Sequence, residues 1–173
     1  MITASYATPM FETEARIATE TAEALGYTVK AVSHDDDLTV QAQIIDTAIA
    51  DGAKGILLDN AGAEGSVEAV QKAKDAGIPT VAIDRELSQD GVAIAQFVSN
   101  NYQGASGVAE VFVEAMGEEG EYAELLGKET ETACTVRSQG FHDVIDQYED
   151  LVMVAQETAN WEQTTAYDKM ETI

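Results

Sequence analysis

Only three of the 173 residues are arginine, and two of them stand where a side chain could recognise a polar molecule. Arg85 closes the run Pro79-Thr80-Val81-Ala82-Ile83-Asp84-Arg85, a β-branched stretch ending in an acid–base dipeptide. Arg137 opens a predicted helix that follows a predicted strand over residues 122–126 and a polar loop. A guanidinium offers a planar fork of donors and keeps its charge, which suits hydroxyls and carboxylates. Asp84 places an acceptor beside the first fork. These positions predict a site for a small polar molecule.

Catalytic chemistry is poorly served. His34 and His142 are the only histidines, and neither can be placed in a Ser–His–Asp arrangement. Cys134, the single cysteine, stands in Glu131-Thr132-Ala133-Cys134-Thr135, a polar loop or helix start with no histidine to activate the thiol. His34-Asp35-Asp36-Asp37 contains metal-ligating types, but adjacent loop residues rarely converge on one ion. Gly62-Ala63-Glu64-Gly65 is a fragment of a glycine-rich loop without the dinucleotide fingerprint, and no phosphate-binding loop occurs. No catalytic residue, cofactor or metal site is predicted.

The elements that must position these residues alternate. Strands are predicted over residues 2–6, 27–33, 54–58, 78–83, 92–99, 122–126 and 151–156. Helices are predicted over 11–25, from Leu38 to a stop at Gly52, over 66–76, 102–116 and 135–148, and from Glu162 onward. Gly26, Gly52, Gly77 and Gly117 punctuate the helix ends. Along the helices, Leu38, Ala42, Ile45 and Ile49 share one face, Val67, Val70 and Ala73 another, and Val108, Val111, Phe112 and Ala115 a third. Repeated strand–helix units imply an α/β fold, a doubly wound parallel sheet with helices on both faces. Right-handed crossovers then bring all strand ends to one edge, where ligands of open sheets bind.

Just after the strands come Thr8-Pro9-Met10-Phe11, Asp35-Asp36, Asp59-Asn60, Asp84-Arg85 and Asn100-Asn101, then Lys128-Glu129, Arg137 and Asn160-Trp161. Acceptors, donors and aromatic faces together suit a hydroxyl-rich ligand. For Asp35, Asp36, Asp59 and Asn60 the plainer reading is helix capping. Asp84-Arg85 is harder to explain as a cap, and Trp161, flanked by Asn160 and Glu162, is an unexpected core residue.

Composition bounds the partners. A hydrophobic content of 45% excludes general disorder. The formal charge of −23 argues against nucleic acid and anionic membrane surfaces, and it reads mainly as a solvated surface. No run of 18 apolar residues exists, so no membrane insertion is expected. The last predicted helix meets the end of the sequence without Gly, Asn or Pro punctuation, so a piece of a longer protein is expected.

The chain resembles the periplasmic sugar-binding proteins of bacterial ABC importers, the ribose-binding-protein type. The resemblance lies in Ala7-Thr8-Pro9-Met10-Phe11, Leu25-Gly26-Tyr27, and Asp75-Ala76-Gly77-Ile78-Pro79 leading to Ile83-Asp84-Arg85. Val98-Ser99-Asn100-Asn101-Tyr102-Gln103-Gly104 and Val136-Arg137-Ser138-Gln139-Gly140-Phe141 continue it. Ser33-His34-Asp35-Asp36-Asp37 and residues 98–104 are most similar to binders of sugar alcohols. The resemblance implies two lobes that close by a hinge, with residues 1–101 as the first lobe and 102–173 as the start of an incomplete second. It implies ligand contacts at Thr8, Met10, Phe11, Asp84, Arg85, Asn101, Arg137 and Trp161. Phe11 alone keeps an aromatic in the first-strand loop, where ribose binders have two, which speaks against ribose itself.

The expectation is a monomeric, non-enzymatic, periplasmic or extracellular protein that binds a monosaccharide or sugar alcohol and delivers it to a membrane permease. Two alternatives stand beside it. The effector domain of a sugar-responsive repressor shares the fold but would need a basic helix-turn-helix ahead of Met1. A small α/β enzyme with carboxylate chemistry would have to turn over its sugar. Fold alone does not separate them.

Overall fold

A computed structural model describes residues 1–173, and the chain divides into two compact units, Met1–Val98 and Ser99–Ile173. In the first unit, strands β1 (Ile2–Thr3), β2 (Val32–Ser33), β3 (Ile56–Leu58), β4 (Thr80–Ile83) and β5 (Ala95–Phe97) form one sheet. Its order is β2-β1-β3-β4-β5 and every pairing is parallel. Helices α1 (Pro9–Ala24), α2 (Leu38–Ala50) and α3 (Val67–Asp75) make the crossovers. Chain order reverses between β1 and β3, so right-handed crossovers send α1 to one face and α2 with α3 to the other.

Ile45, Leu58, Val70, Ala73 and Ala82 have no accessible surface and form the centre of the first core with Ile2, Ile56 and Ile78. Val70 and Ala73 point inward as their spacing predicts, with Val67 packed at the margin. On α2 the buried stripe is narrower than expected: Ile45 is central and Ile49 marginal, while Leu38 is 42% exposed. The strand predicted over residues 27–33 shrinks to Val32–Ser33. Its start serves α1 instead, where Gly26, at φ 89°, donates its N–H to Glu23 and Tyr27 donates to Ala22. This double bond back into the last turn is a C-terminal cap, which holds those residues out of a ladder. The fifth strand is likewise trimmed to its central three residues.

The second unit contains α4 (Asn101–Met116), β6 (Gly120–Leu126), α5 (Thr132–Ile145), β7 (Leu151–Thr158) and α6 (Gln163–Met170). β6 and β7 pair in parallel, with a register shift between Tyr122 and Ala123. Val113, Tyr122, Ile145 and Leu151 are its buried core, flanked by Phe112, Met116, Phe141 and Tyr148. The apolar stripe expected on α4 is displaced: Val108 and Val111 are 62% and 66% exposed, and Ala109 and Val113 are buried instead. The displacement follows from close packing against α5. A Cβ on Gly140 would come within 2.6 Å of the Tyr102 carbonyl oxygen, and the Ser106 hydroxyl donates to the Gly140 carbonyl. Small residues, rather than the large valines, let the two helices meet. Helix α5 begins three residues earlier than predicted, so Arg137 lies in its second turn and Cys134 is buried within it. Helix α6 ends at Met170, with Glu171 as its C-cap.

Candidate functional site

The strand ends of the first unit converge on Arg85, which is 6% exposed. Its Nη1 donates to Asp36 Oδ1 at 2.6 Å and to the Asn60 carbonyl at 3.1 Å. Its Nε lies 3.4 Å from Asp59 Oδ1. The guanidinium carbon sits 5.0 Å from the centroid of the Phe11 ring, a cation–π contact. Phe11 follows β1, Asp36 follows β2, Asp59 and Asn60 follow β3, and Arg85 follows β4. Four chain segments thus supply one cluster because the sheet order sets their ends side by side.

The backbone beneath the cluster is buried and almost fully bonded. The Asn60 amide donates to the carbonyls of Arg85 and Glu86, and its Oδ1 accepts the Gly62 N–H. Gln41, also fully buried, accepts from the Ala61 N–H and donates to Ser66 Oγ. An irregular segment can stay inside a protein only when its polar groups are paired in this way. Asp35, Asp36, Asp59 and Asn60 are therefore not helix caps. Asp37 caps α2, accepting from the N–H groups of Thr39 and Val40. Those two bonds stabilise its charged form and hold its carboxyl below the usual range.

Asp84 adopts φ 58°, and the adjacent Arg85 N–H bonds the Ile83 carbonyl at 2.6 Å. A left-handed turn at a non-glycine residue costs about 1–3 kcal/mol and tends to mark a functional position. The Asp84 carboxylate is half-exposed and takes no hydrogen bond or ion pair from the chain. Glu14, one turn beyond Phe11 on α1, is partly buried near it. Burial first, then the Asp84 charge, raises the Glu14 carboxyl above its ordinary range. Thr8 and Met10 are exposed at the start of α1, and the Thr8 hydroxyl makes no capping bond.

A second cluster lies in the second unit. Arg137 Nε donates to Asn101 Oδ1 at 2.8 Å, and its guanidinium carbon is 5.3 Å from the Trp161 ring centroid. The Trp161 indole N–H donates to Glu131 Oε2 at 2.9 Å. The ring lies directly on Gly127, since a Cβ there would overlap its six-membered ring. Asn160 and Trp161 are both left-handed, at φ 53° and 63°, a strained turn that the indole bond and the close glycine hold in place. Asn101, Arg137 and Trp161 line one side of a cavity of about 610 Å³, whose remaining wall includes Phe112, Leu126, Cys134 and Phe141. Burial pushes the Cys134 thiol up, partly offset by a bond from the Gly127 N–H. A thiol so raised is a packing residue rather than a nucleophile.

Of the eight residues singled out in the sequence, the structure joins Phe11 with Arg85, the chain neighbour of Asp84, and joins Asn101 and Trp161 with Arg137. Glu14, Asp36, Asp59, Asn60 and Glu131 belong to these clusters and were not singled out. For Asp36, Asp59 and Asn60 the available signal was position after a strand, which capping explained equally well.

Comparison with known proteins agrees with this architecture. The sequence pattern of the periplasmic binding protein domain family matches residues 1–173. The chain is 55% identical over 173 residues to a D-apiose import binding protein of Actinobacillus succinogenes, covering 100% of this chain and 56% of that protein. It is 53% identical over the same length to a D-apiose import binding protein of Paraburkholderia graminis, of which it covers 55%. The chain therefore spans little more than half the length of these curated relatives. Among solved structures, it superposes with a TM-score of 0.91 on the periplasmic binding component of an arabinose ABC transporter from Shewanella sp. ANA-3. That likeness covers 99% of this chain and 57% of the other at 20% identity, and it speaks for the fold. No helix is long and apolar enough to cross a membrane.

Proposed function

The chain belongs to the periplasmic binding protein domain family, and from that premise we propose that the full-length protein captures a pentose-class sugar for an ABC importer. The observation that carries this reading is the Arg85 cluster. A guanidinium held by two carboxylates and an aromatic ring stands next to a carboxylate, Asp84, that the chain leaves without a partner. A sugar hydroxyl can accept a charge-assisted bond from Arg85 and donate to Asp84. Phe11 offers a flat apolar surface to the C–H face of a sugar ring. Within the second unit, Arg137 and Asn101 form a further donor and acceptor pair beside the flat Trp161 ring.

Residues 1–101 act as the first ligand-binding lobe and residues 102–173 begin the second. Thr8 and Met10 complete the contacts from the start of α1. The protein is a monomer that works outside the cytoplasmic membrane, passes its ligand to a permease unchanged, and binds no nucleic acid. The names of the most similar relatives support D-apiose, a branched pentose, as the first ligand to test, and they favour import over the repressor reading.

Calorimetry of the full-length protein against D-apiose, other pentoses, tetritols and pentitols tests the proposal. Heat with at least one of them is expected, with the sugar recovered unaltered. Arg85→Ala should weaken that binding about tenfold or more, through the loss of charge-assisted bonds. No heat with any of these compounds, or turnover of the sugar, overturns it.

A further inference from the structure

His34 is fully buried, and both of its ring nitrogens are committed to backbone groups. The Asp36 N–H donates to Nδ1 at 3.1 Å, so that nitrogen is the unprotonated one. Nε2 lies 2.8 Å from the Asp59 carbonyl oxygen, which can only accept, so Nε2 carries the hydrogen. The two residues gripped in this way are the two whose carboxylates engage Arg85. Asp36 itself sits at φ 59°, a conformation that an unsupported loop would tend to leave. Backbone bonds anchor the histidine in turn: its N–H donates to Thr3, and its carbonyl accepts from the Asp37 N–H.

We propose that His34, as the neutral Nε2–H tautomer, is the positioning residue that sets Asp36 and Asp59 at the spacing the Arg85 fork requires. The imidazole acts as a rigid spacer between the β2–α2 loop and the segment after β3. In the proposed binding reaction it does not touch the sugar. Its effect on recognition is carried by the carboxylates, and in that respect the inference rests on the sugar-binding reading. Only an acceptor at Nδ1 together with a donor at Nε2 satisfies both backbone groups, which explains a histidine in a loop with no catalytic or metal role.

The scarcity of arginine makes this testable without any ligand. Labelling the chain with 15N-arginine yields Nε–H signals from Arg16, Arg85 and Arg137 alone, and Arg16 and Arg137 are exposed. In the unaltered chain the Arg85 Nε–H exchanges slowest. His34→Phe keeps a planar ring without either nitrogen and should speed exchange of the Arg85 Nε–H about tenfold, the change expected when its buried ion-pair contact with Asp59 is loosened. Backbone amides of Leu58 and Ala82 should hold their protection. His34→Gln, whose side-chain amide can take the place of the Nε2–H toward the Asp59 carbonyl, should restore most of the slow exchange at the Arg85 Nε–H, which faces Asp59. If the phenylalanine variant does not fold, His34→Asn replaces it, since it offers an acceptor at the Nδ1 position but no donor that reaches the Asp59 carbonyl.

Unchanged Arg85 exchange in the variant that folds overturns the inference. So does equal acceleration at Leu58 and Ala82, which would make His34 a general stability residue. In the full-length protein, the same variant should weaken binding of whichever sugar the unaltered protein takes. A protein that binds no sugar refutes the functional reading, while the exchange measurement still decides the role of His34.

Discussion

The two arginine clusters share parts but differ in construction. Each has a guanidinium over an aromatic ring, and each has a pair of consecutive left-handed residues after the second strand of its unit: Asp35-Asp36 after β2 and Asn160-Trp161 after β7. Arg85, however, is buried and bound by Asp36 and by Asp59, which has no accessible surface. Arg137 is exposed and has one hydrogen bond, to an amide oxygen. Arg85 is thus part of the folded frame, with its desolvation offset by carboxylates before any ligand arrives. Arg137 leans on an aromatic platform and stays adjustable. The strength of each is expected in a different measurement.

The sharpest way to break this contrast is to remove the preset arginine. Arg85→Ala leaves Asp59 buried without its guanidinium and should cost about 3–5 kcal/mol of folding stability, read by chemical denaturation. A loss no greater than that of an ordinary surface substitution would erase the distinction between the two clusters.

Gly127→Ala tests the aromatic platform of the second cluster. The added methyl overlaps the Trp161 ring, so the ring must move and its bond to Glu131 must break. Overpacking of this kind costs about 1–3 kcal/mol. Trp161 is the only tryptophan, so its fluorescence should shift toward that of a more solvated indole. An unchanged spectrum would show that the platform is not held by Gly127.

A smaller effect separates the two units by pH. In the second unit, His142 Nε2 lies 3.1 Å from Glu124 and Nδ1 lies 2.9 Å from Asp146. Burial alone would lower its pKa, but the bonds to Asp146 and Glu124 outweigh burial and raise it. Stabilisation from this raised pKa is fully present below the unfolded value of about 6.5 and is lost as pH rises through the folded value. His142→Gln should remove that part of the pH dependence of unfolding, and the same slope in both proteins would refute it.

The smallest effect belongs to Arg137→Ala. An exposed guanidinium with one neutral partner should change stability by no more than about 0.5 kcal/mol. Its influence should appear instead in sugar affinity of the full-length protein, so a large stability loss would place Arg137 in the frame beside Arg85.

Much of the fold was legible locally. The predicted helix stop at Gly26, the inward face of Val70 and Ala73, and the placement of Asp84-Arg85 after a strand all depend on neighbours within a few positions. Errors arose where a distant partner decided the outcome. Tyr27 entered a helix cap rather than a strand, and the stripe on α4 followed the close approach of Gly140 rather than the valines. In the candidate site, Arg85 and Trp161 stood out by rarity. Glu131 did not, because nothing in its surroundings along the chain signals an indole 30 residues away.

The sequence by itself determined the alternation of strands and helices, the parallel sheet that follows from it, and the set of polar residues delivered to the strand ends. Periodicity, glycine stops and β-branched runs are short-range properties, and they are written in consecutive residues. Which of those polar residues meet was decided only by the tertiary structure. Asp36 reaches Arg85 across 49 positions of chain, and Asn60 across 25. Parallel pairing in the order β2-β1-β3-β4-β5 brings those ends together. The same pairing buries Asp59 and Arg85, and burial turns a carboxylate that could have been a solvated cap and its arginine neighbour into a charge pair that must be satisfied.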